Sequence, residues 1–200
     1  MQEKRLDRAA LDLALKSLAI RLQENRAEMV EIVVCGGSAL ILTGMVPRTT
    51  KDVDIVALIR SGQLTSPAPL PAELVRAAEE VAEDLGLDAD WLNNGPSPGE
   101  GGLFQMGLPD GFAERLTCAV YGERLKVHFI DRFDQIHFKL YAAVDLGGYH
   151  IEDLRALAPT AKEMGAACRW CITHDVSDGF QMVLKRVVKE LGYEDVADRL

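Results

Sequence analysis

Apolar positions recur along this chain at two periods, and the switching between them sets the order of elements. Leu11, Leu15, Leu18 and Leu22 fall four, three and four residues apart with charges between them, which predicts a helix from about Leu6 to Arg26. Met29–Cys35 is short, rich in β-branched residues and cut off by Gly36-Gly37, and reads as a strand. Ser38–Thr43 reads as a short apolar helix, and Asp52–Ile59 as a second strand, half alternating and half continuously apolar. After a proline-bearing connection at Ser61–Pro71, helical spacing returns at Leu74, Ala77, Ala78, Val81 and Leu85. Asn93–Gly102, dense in Asn, Gly, Pro and Ser, is expected to hold no regular element. Arg115–Tyr121 and Leu125–Asp131 flank Gly122-Glu123-Arg124 as a hairpin. From Phe133 onward the pattern is helical, ending in a helix through Phe180, Val183, Leu184, Val187 and Leu191 that stops at Gly192.

This order predicts an α/β (α+β) protein. A small mixed sheet with flanking helices would occupy residues 1–131, and a helical C-terminal region would occupy 132–200, either packed on that core or part of one single domain. Two hundred residues bury enough surface to fold without disulfides or a structural metal. The net charge of −9 argues against an extended nucleic-acid-binding face, although Arg48, Lys51, Arg124 and Lys126 could line a local basic patch. The longest nearly apolar run, around Ala39–Val46, is too short to cross a membrane, and the charged N-terminus does not read as a signal peptide. The four scattered cysteines suit reduced thiols in the cytoplasm. Cys168-Arg-Trp-Cys171, followed by His174, has the spacing of a metal or redox pair. It lacks a second pair nearby and lies along one helix face, so packing is the expected role.

Two motifs carry chemistry. In Asp52-Val53-Asp54 the carboxylates lie two residues apart, about 7 Å along one face of a strand. At an effective dielectric near 20 they repel by roughly 2 kcal/mol, which a divalent cation would offset. Many such pairs are simply solvated strand ends. Gly36-Gly37-Ser38, between a strand and a helix, allows close backbone approach to a ligand and offers N–H groups to phosphate. Ser38 could cap the helix or donate its hydroxyl to a phosphate oxygen. Neither a Walker A loop nor a dinucleotide fingerprint is present.

Strand, Cys35-Gly36-Gly37-Ser38, short helix and Asp52-Val53-Asp54-Ile55 together resemble the nucleotidyltransferase superfamily, with its DNA polymerase β-like fold. Within it the chain is most similar to minimal bacterial proteins related to the AbiEii-type abortive-infection toxins. Gly37-Ser38-Ala39-Leu40, Trp91-Leu92-Asn93, Lys139-Leu140-Tyr141-Ala142 and Glu152-Asp153-Leu154 carry that likeness, over roughly residues 30–160. The resemblance implies that Gly36, Gly37 and Ser38 hold nucleotide phosphates while Asp52 and Asp54 bind Mg²⁺ or Mn²⁺. Lys139 would face the triphosphate, and Asp153 would orient Lys139 or the nucleotide. A snorkelling surface lysine and a plain first-turn helix acid are the alternatives for these two.

The superfamily's third carboxylate, from a later strand, is not where it is expected; His128 stands there, with Asp131 three residues on. His128 could act as a general base or ligate a softer ion such as Mn²⁺, or be a buried, hydrogen-bonded histidine. The implied function is metal-dependent transfer of a nucleoside monophosphate from a nucleoside triphosphate to an acceptor hydroxyl. The acceptor would be a small molecule, a protein or a tRNA end, and a toxin or phage-defence role with an antitoxin partner follows the same likeness. The alternative is a catalytically degenerate module that binds nucleotide or a partner.

Overall fold

The computed structural model describes residues 4–98 and 102–200, and the chain falls into two compact units, residues 1–130 and 131–200. It is a mixed α/β protein with one mixed six-stranded sheet and a helical C-terminal half. In the first unit, α1 (Arg8–Glu24) starts at Asp7, whose carboxylate accepts the Ala10 N–H, and it buries the predicted Leu11, Leu15, Leu18 and Leu22. β1 (Val30–Cys35) runs into α2 (Gly36–Leu42), which begins two residues earlier than the pattern suggested. Cys35 takes the N-cap place without a side-chain bond, so Ser38 does not cap the helix.

β2 (Val53–Arg60) pairs antiparallel with β1, and Asp52 lies just before it. Two short strands were not foreseen. The proline-bearing connection contains β3 (Gln63–Thr65), which folds straight back on Leu58–Arg60. α3 (Ala72–Leu85) buries Leu74, Ala77, Ala78 and Val81 and ends at a left-handed Gly86. β4 (Leu92–Asn93) pairs in parallel with Val53–Asp54.

The stretch from Asn93 is therefore not structureless at its start. Asn93 accepts from the Gly95 N–H at 2.7 Å and donates to Asp90 O at 3.2 Å, while the buried Ser97 hydroxyl donates to Val56 O at 3.0 Å. Short polar side chains that bond backbone make an ordered turn from a composition that reads as loop. Gly99–Gly101 of that stretch, like Met1–Glu3, lie outside the described residues. α4 (Leu103–Met106) and a 3-10 turn at Ala113–Arg115 lead to the hairpin of β5 (Thr117–Gly122) and β6 (Leu125–Phe129). Arg115 belongs to that turn and not to the hairpin, and Asp131 likewise lies beyond it.

The strand order is β3-β2-β1-β6-β5, with β4 beside β2. β1 sits between an antiparallel β2 and a parallel β6, so every residue of it except Glu31 is buried. That double flanking is why it reads as nearly continuous apolar sequence.

The second unit is helical. α5 (Arg132–Asp145) is capped by Asp131, whose carboxylate accepts the Asp134 N–H at 2.9 Å. α6 (Tyr149–Leu157) follows, and α7 (Ala161–His174) opens on a full capping box between Thr160 and Glu163. α8 (Asp178–Glu190) ends before Gly192, but a further turn, α9 (Glu194–Ala197), comes after it.

Candidate functional site

The site builds from the end of β1. Cys35 pairs with Asp54 across the β1–β2 ladder, which sets the Asp54 side chain beside the residue that follows Cys35. That residue, Gly36, has φ +69°, and a Cβ there would lie 2.6 Å from Asp54 Oδ2. Only glycine tolerates both the backbone angle and the close carboxylate. At Gly37 an added Cβ would lie 2.9 Å from Arg48 Nη2 and 2.9 Å from Thr50 Oγ1. The two glycines therefore let three polar side chains crowd onto the start of α2.

The loop supplying two of them is pinned. Leu6 and Thr50 form an isolated antiparallel bridge, with the Thr50 N–H donating to Leu6 O at 3.0 Å. Thr50 is buried and its hydroxyl donates to Asp52 Oδ1 at 3.1 Å, fixing Asp52 ahead of β2. Arg48 Nη1 donates to Thr49 O at 3.0 Å, which holds the guanidinium along the loop. On the other edge of β2, Trp91 O accepts from the Val53 N–H and Asn93 stands level with Asp54. The fully buried Trp91 ring donates from Nε1 to Ala78 O at 2.9 Å, which anchors this strand to α3.

Gly36, Gly37, Asp52 and Asp54 are thus brought together. Ser38 is beside them but fully buried, its hydroxyl directed to Cys35 O at 3.3 Å. The first-turn N–H groups of α2 lie outside its helical ladder, beside the Arg48 guanidinium. Arg48 is the residue that sequence reasoning undervalued. Its signal was its place four residues before Asp52 in a loop too short to carry it away.

His128 sits elsewhere on the sheet. In the parallel β1–β6 ladder it is level with Val33, two residues short of Cys35. With β1 between them, the His128 and Asp54 backbones are about 12 Å apart by ordinary strand spacings. The residue level with Cys35, by continuation of the register one step past the end of β6, is Ile130, which is buried. The imidazole is turned to β1, with Nε2 2.9 Å from Glu31 Oε2. Lys126 Nζ bonds the other Glu31 oxygen at 3.2 Å. Burial pulls the Glu31 carboxyl upward, but the hydrogen bonds and charges of His128 and Lys126 outweigh it and hold the group below its usual value.

Lys139 and Asp153 lie in the second unit, where they find each other. Nζ and Oδ2 are 2.8 Å apart, and the side chains are 5% and 2% exposed. The Tyr149 ring centroid is 5.5 Å from Nζ. Lys139 is therefore not a snorkelling surface lysine. Nor is Asp153 a first-turn acid, since it is the fifth residue of α6.

Cys168 and Cys171 are both buried on α7, and burial pushes the Cys168 thiol up to about 12 and that of Cys171 well above its usual value. Thiols so placed are poor ligands and poor nucleophiles.

Among the described residues no three His, Cys, Asp or Glu side chains gather closely enough to hold a metal ion by themselves. Two carboxylates suffice where phosphate oxygens and water complete the shell, which is how Mg²⁺ is commonly bound, so the Asp52/Asp54 donor set fits that ion. A cavity of about 520 Å³, lined by Glu28, Glu31, Arg60 and Glu73 among others, opens at the far end of β1 and β2 from this site. No described helix is long and apolar enough to cross a membrane. In comparisons with known proteins, no family model, no curated protein and no solved structure matches the chain.

Proposed function

We propose that the Gly36/Gly37 turn, Arg48, Asp52 and Asp54 hold a nucleoside triphosphate together with Mg²⁺ or Mn²⁺, in the manner of a nucleotidyltransferase. The observation that carries this reading is the convergence at the two glycines. A cation (Arg48), two carboxylates and the start of a helix meet where any side chain would block them. Arg48 and the Gly37 and Ser38 N–H groups take phosphate oxygens, and Asp52 and Asp54 take the ion. The bound ion would neutralise charge on the phosphates during displacement at phosphorus. The reaction moves a nucleoside monophosphate to an acceptor hydroxyl and releases pyrophosphate. The acceptor class is open among small molecules, proteins and tRNA ends, and a toxin or defence role with an antitoxin partner rests on the AbiEii likeness alone.

A second reading has its own observation. Ile130, just past the end of β6, stands level with Asp54 by continuation of the register, and His128 is bonded to Glu31 instead of facing the carboxylates. Both favour a module that binds nucleotide without turnover. Incubating the chain and a cell extract with each labelled nucleoside triphosphate separates the two. Label transferred by wild type and abolished in Asp54→Asn supports transfer; nucleotide binding without label supports the module; neither binding nor label removes the site.

A further inference from the structure

Asp52 stands just ahead of β2, in the connection from α2, so no strand ladder fixes it. Its side chain is held by Thr50, whose hydroxyl donates to Oδ1 at 3.1 Å and leaves Oδ2 to face an ion. Thr50 is held in turn by the N-terminal segment. Across their isolated bridge the Leu6 N–H donates to Thr50 O at 2.6 Å, and the Thr50 N–H donates to Leu6 O at 3.0 Å. Among the described backbone-to-backbone bonds, these two are the ones that residues 47–52 make. The segment opposite is anchored three times over. Lys4 Nζ donates to Leu85 O at the end of α3, the Leu6 side chain is only 1% exposed, and Asp7 caps α1. The connection that carries Arg48, Thr50 and Asp52 therefore leans on a firmly held neighbour through few bonds of its own. Loop backbone tied so sparingly opens at small cost when its neighbour lets go.

We infer that residues 4–6 are a strap whose docking on Thr50 sets the affinity of the Gly36/Asp54 corner for metal-bound nucleotide. This rests on the nucleotide reading of that corner and adds what regulates it. With the strap docked, Thr50 is fixed and turns Asp52 toward the ion. With the strap released, the connection moves freely, and the phosphate-facing Arg48 and the metal-facing Asp52 lose their common geometry. Thr50 is a positioning residue, since it acts on the ion through Asp52. A ligand that binds the docked form better must also tighten the strap, by the same factor that release weakens binding. The site can thus be switched at Leu6, without any group that touches nucleotide being altered.

The test pairs amide hydrogen exchange of the full chain with calorimetry, using Mg²⁺ and each nucleoside triphosphate. In wild type the ligand should slow exchange of the Leu6 and Thr50 amides about tenfold, an ordinary size for coupling between sites. Leu6→Ala should speed Thr50 exchange in the free chain and weaken triphosphate binding about tenfold, while Leu6→Met stays near wild type on both. Thr50→Val should leave the Leu6 amide protected but weaken Mg²⁺-dependent binding, and Thr50→Ser should restore it, which a merely structural threonine would not require. Urea unfolding checks that each variant folds; should Leu6→Ala fail, Lys4→Ala at the strap's exposed end replaces it, with a smaller effect in the same direction. Unchanged triphosphate affinity in a folded strap variant overturns the inference. So does Thr50 exchange as fast in free wild type as in Leu6→Ala, whatever the corner binds. A protected Thr50 amide in a wild type that binds no triphosphate removes the nucleotide reading and the inference together, and the exchange data tell these failures apart.

Discussion

Gly36 and Asp54 are in contact to the point of exclusion: a methyl group on the glycine would stand 2.6 Å from the carboxylate oxygen. The same glycine holds φ +69°, which costs an ordinary residue about 1–2 kcal/mol. Gly36→Ala should therefore lower stability by about 2 kcal/mol or more, read as a lower urea midpoint at unchanged slope. An unchanged midpoint would mean that the turn and the carboxylate are not held together as described.

Gly37 makes a contrasting case. Its φ is not in the left-handed region, so a Cβ there adds no backbone strain but would meet the Arg48 guanidinium and the buried Thr50 hydroxyl, each at 2.9 Å. Gly37→Ala should cost about 1 kcal/mol by urea unfolding, less than Gly36→Ala, while weakening nucleoside triphosphate binding by displacing the guanidinium and the Thr50 hydroxyl. Equal loss of stability in the two variants would contradict this separation of fold from binding.

The Lys139–Asp153 pair is buried on both sides, so removing one partner takes from the other the counter-charge 2.8 Å away. Asp153→Leu or Lys139→Met alone should cost about 3 kcal/mol, whereas the two together should recover most of the loss. A double-mutant cycle by denaturant unfolding reads this directly. Additive single losses would mean the pair is not coupled.

Acid sensitivity should centre on Glu163. Bonds from Arg132, at 2.6 and 3.3 Å, hold its carboxyl down at about 2 against a partial opposing push from burial, and the Thr160 N–H and hydroxyl add to the depression. A carboxyl depressed in the folded state contributes stability that is complete above its unfolded value and is lost as pH falls toward the folded one. Wild type should thus lose stability between about pH 5 and pH 2, and Glu163→Gln, which keeps the helix cap, should flatten that limb. Parallel curves for the two would remove Glu163 as the cause.

Elements with a strong internal pattern were legible from sequence. α1, β1, β2 and α3 carry their periodicity within themselves, and Gly36-Gly37 and Asp52/Asp54, singled out from sequence, lie at one corner of the sheet. β3 and β4 were not legible, because strands of three and two residues are defined by the ladder they join. Asp131 reads as strand continuation until its carboxylate is seen capping α5. Arg48 and Lys139 are cations whose partners depend on tertiary register. The Glu31–His128 bond left a trace: Glu31 is the one charge in an otherwise apolar Met29–Cys35 strand, and Lys126 and His128 share one face of another. Read together, those positions call for each other.

The central claim is that the corner at Gly36, Gly37, Arg48, Asp52 and Asp54 is a metal-dependent nucleotide site. Titration calorimetry of the full chain with each nucleoside triphosphate, with and without Mg²⁺, tests it most directly, using Asp54→Asn as the control whose fold is checked by its melting curve. Binding that requires Mg²⁺ in wild type and drops at least tenfold in folded Asp54→Asn, about 1.4 kcal/mol or more, is the predicted result. Absence of binding to any of the four triphosphates, or equal binding by wild type and Asp54→Asn, would contradict it.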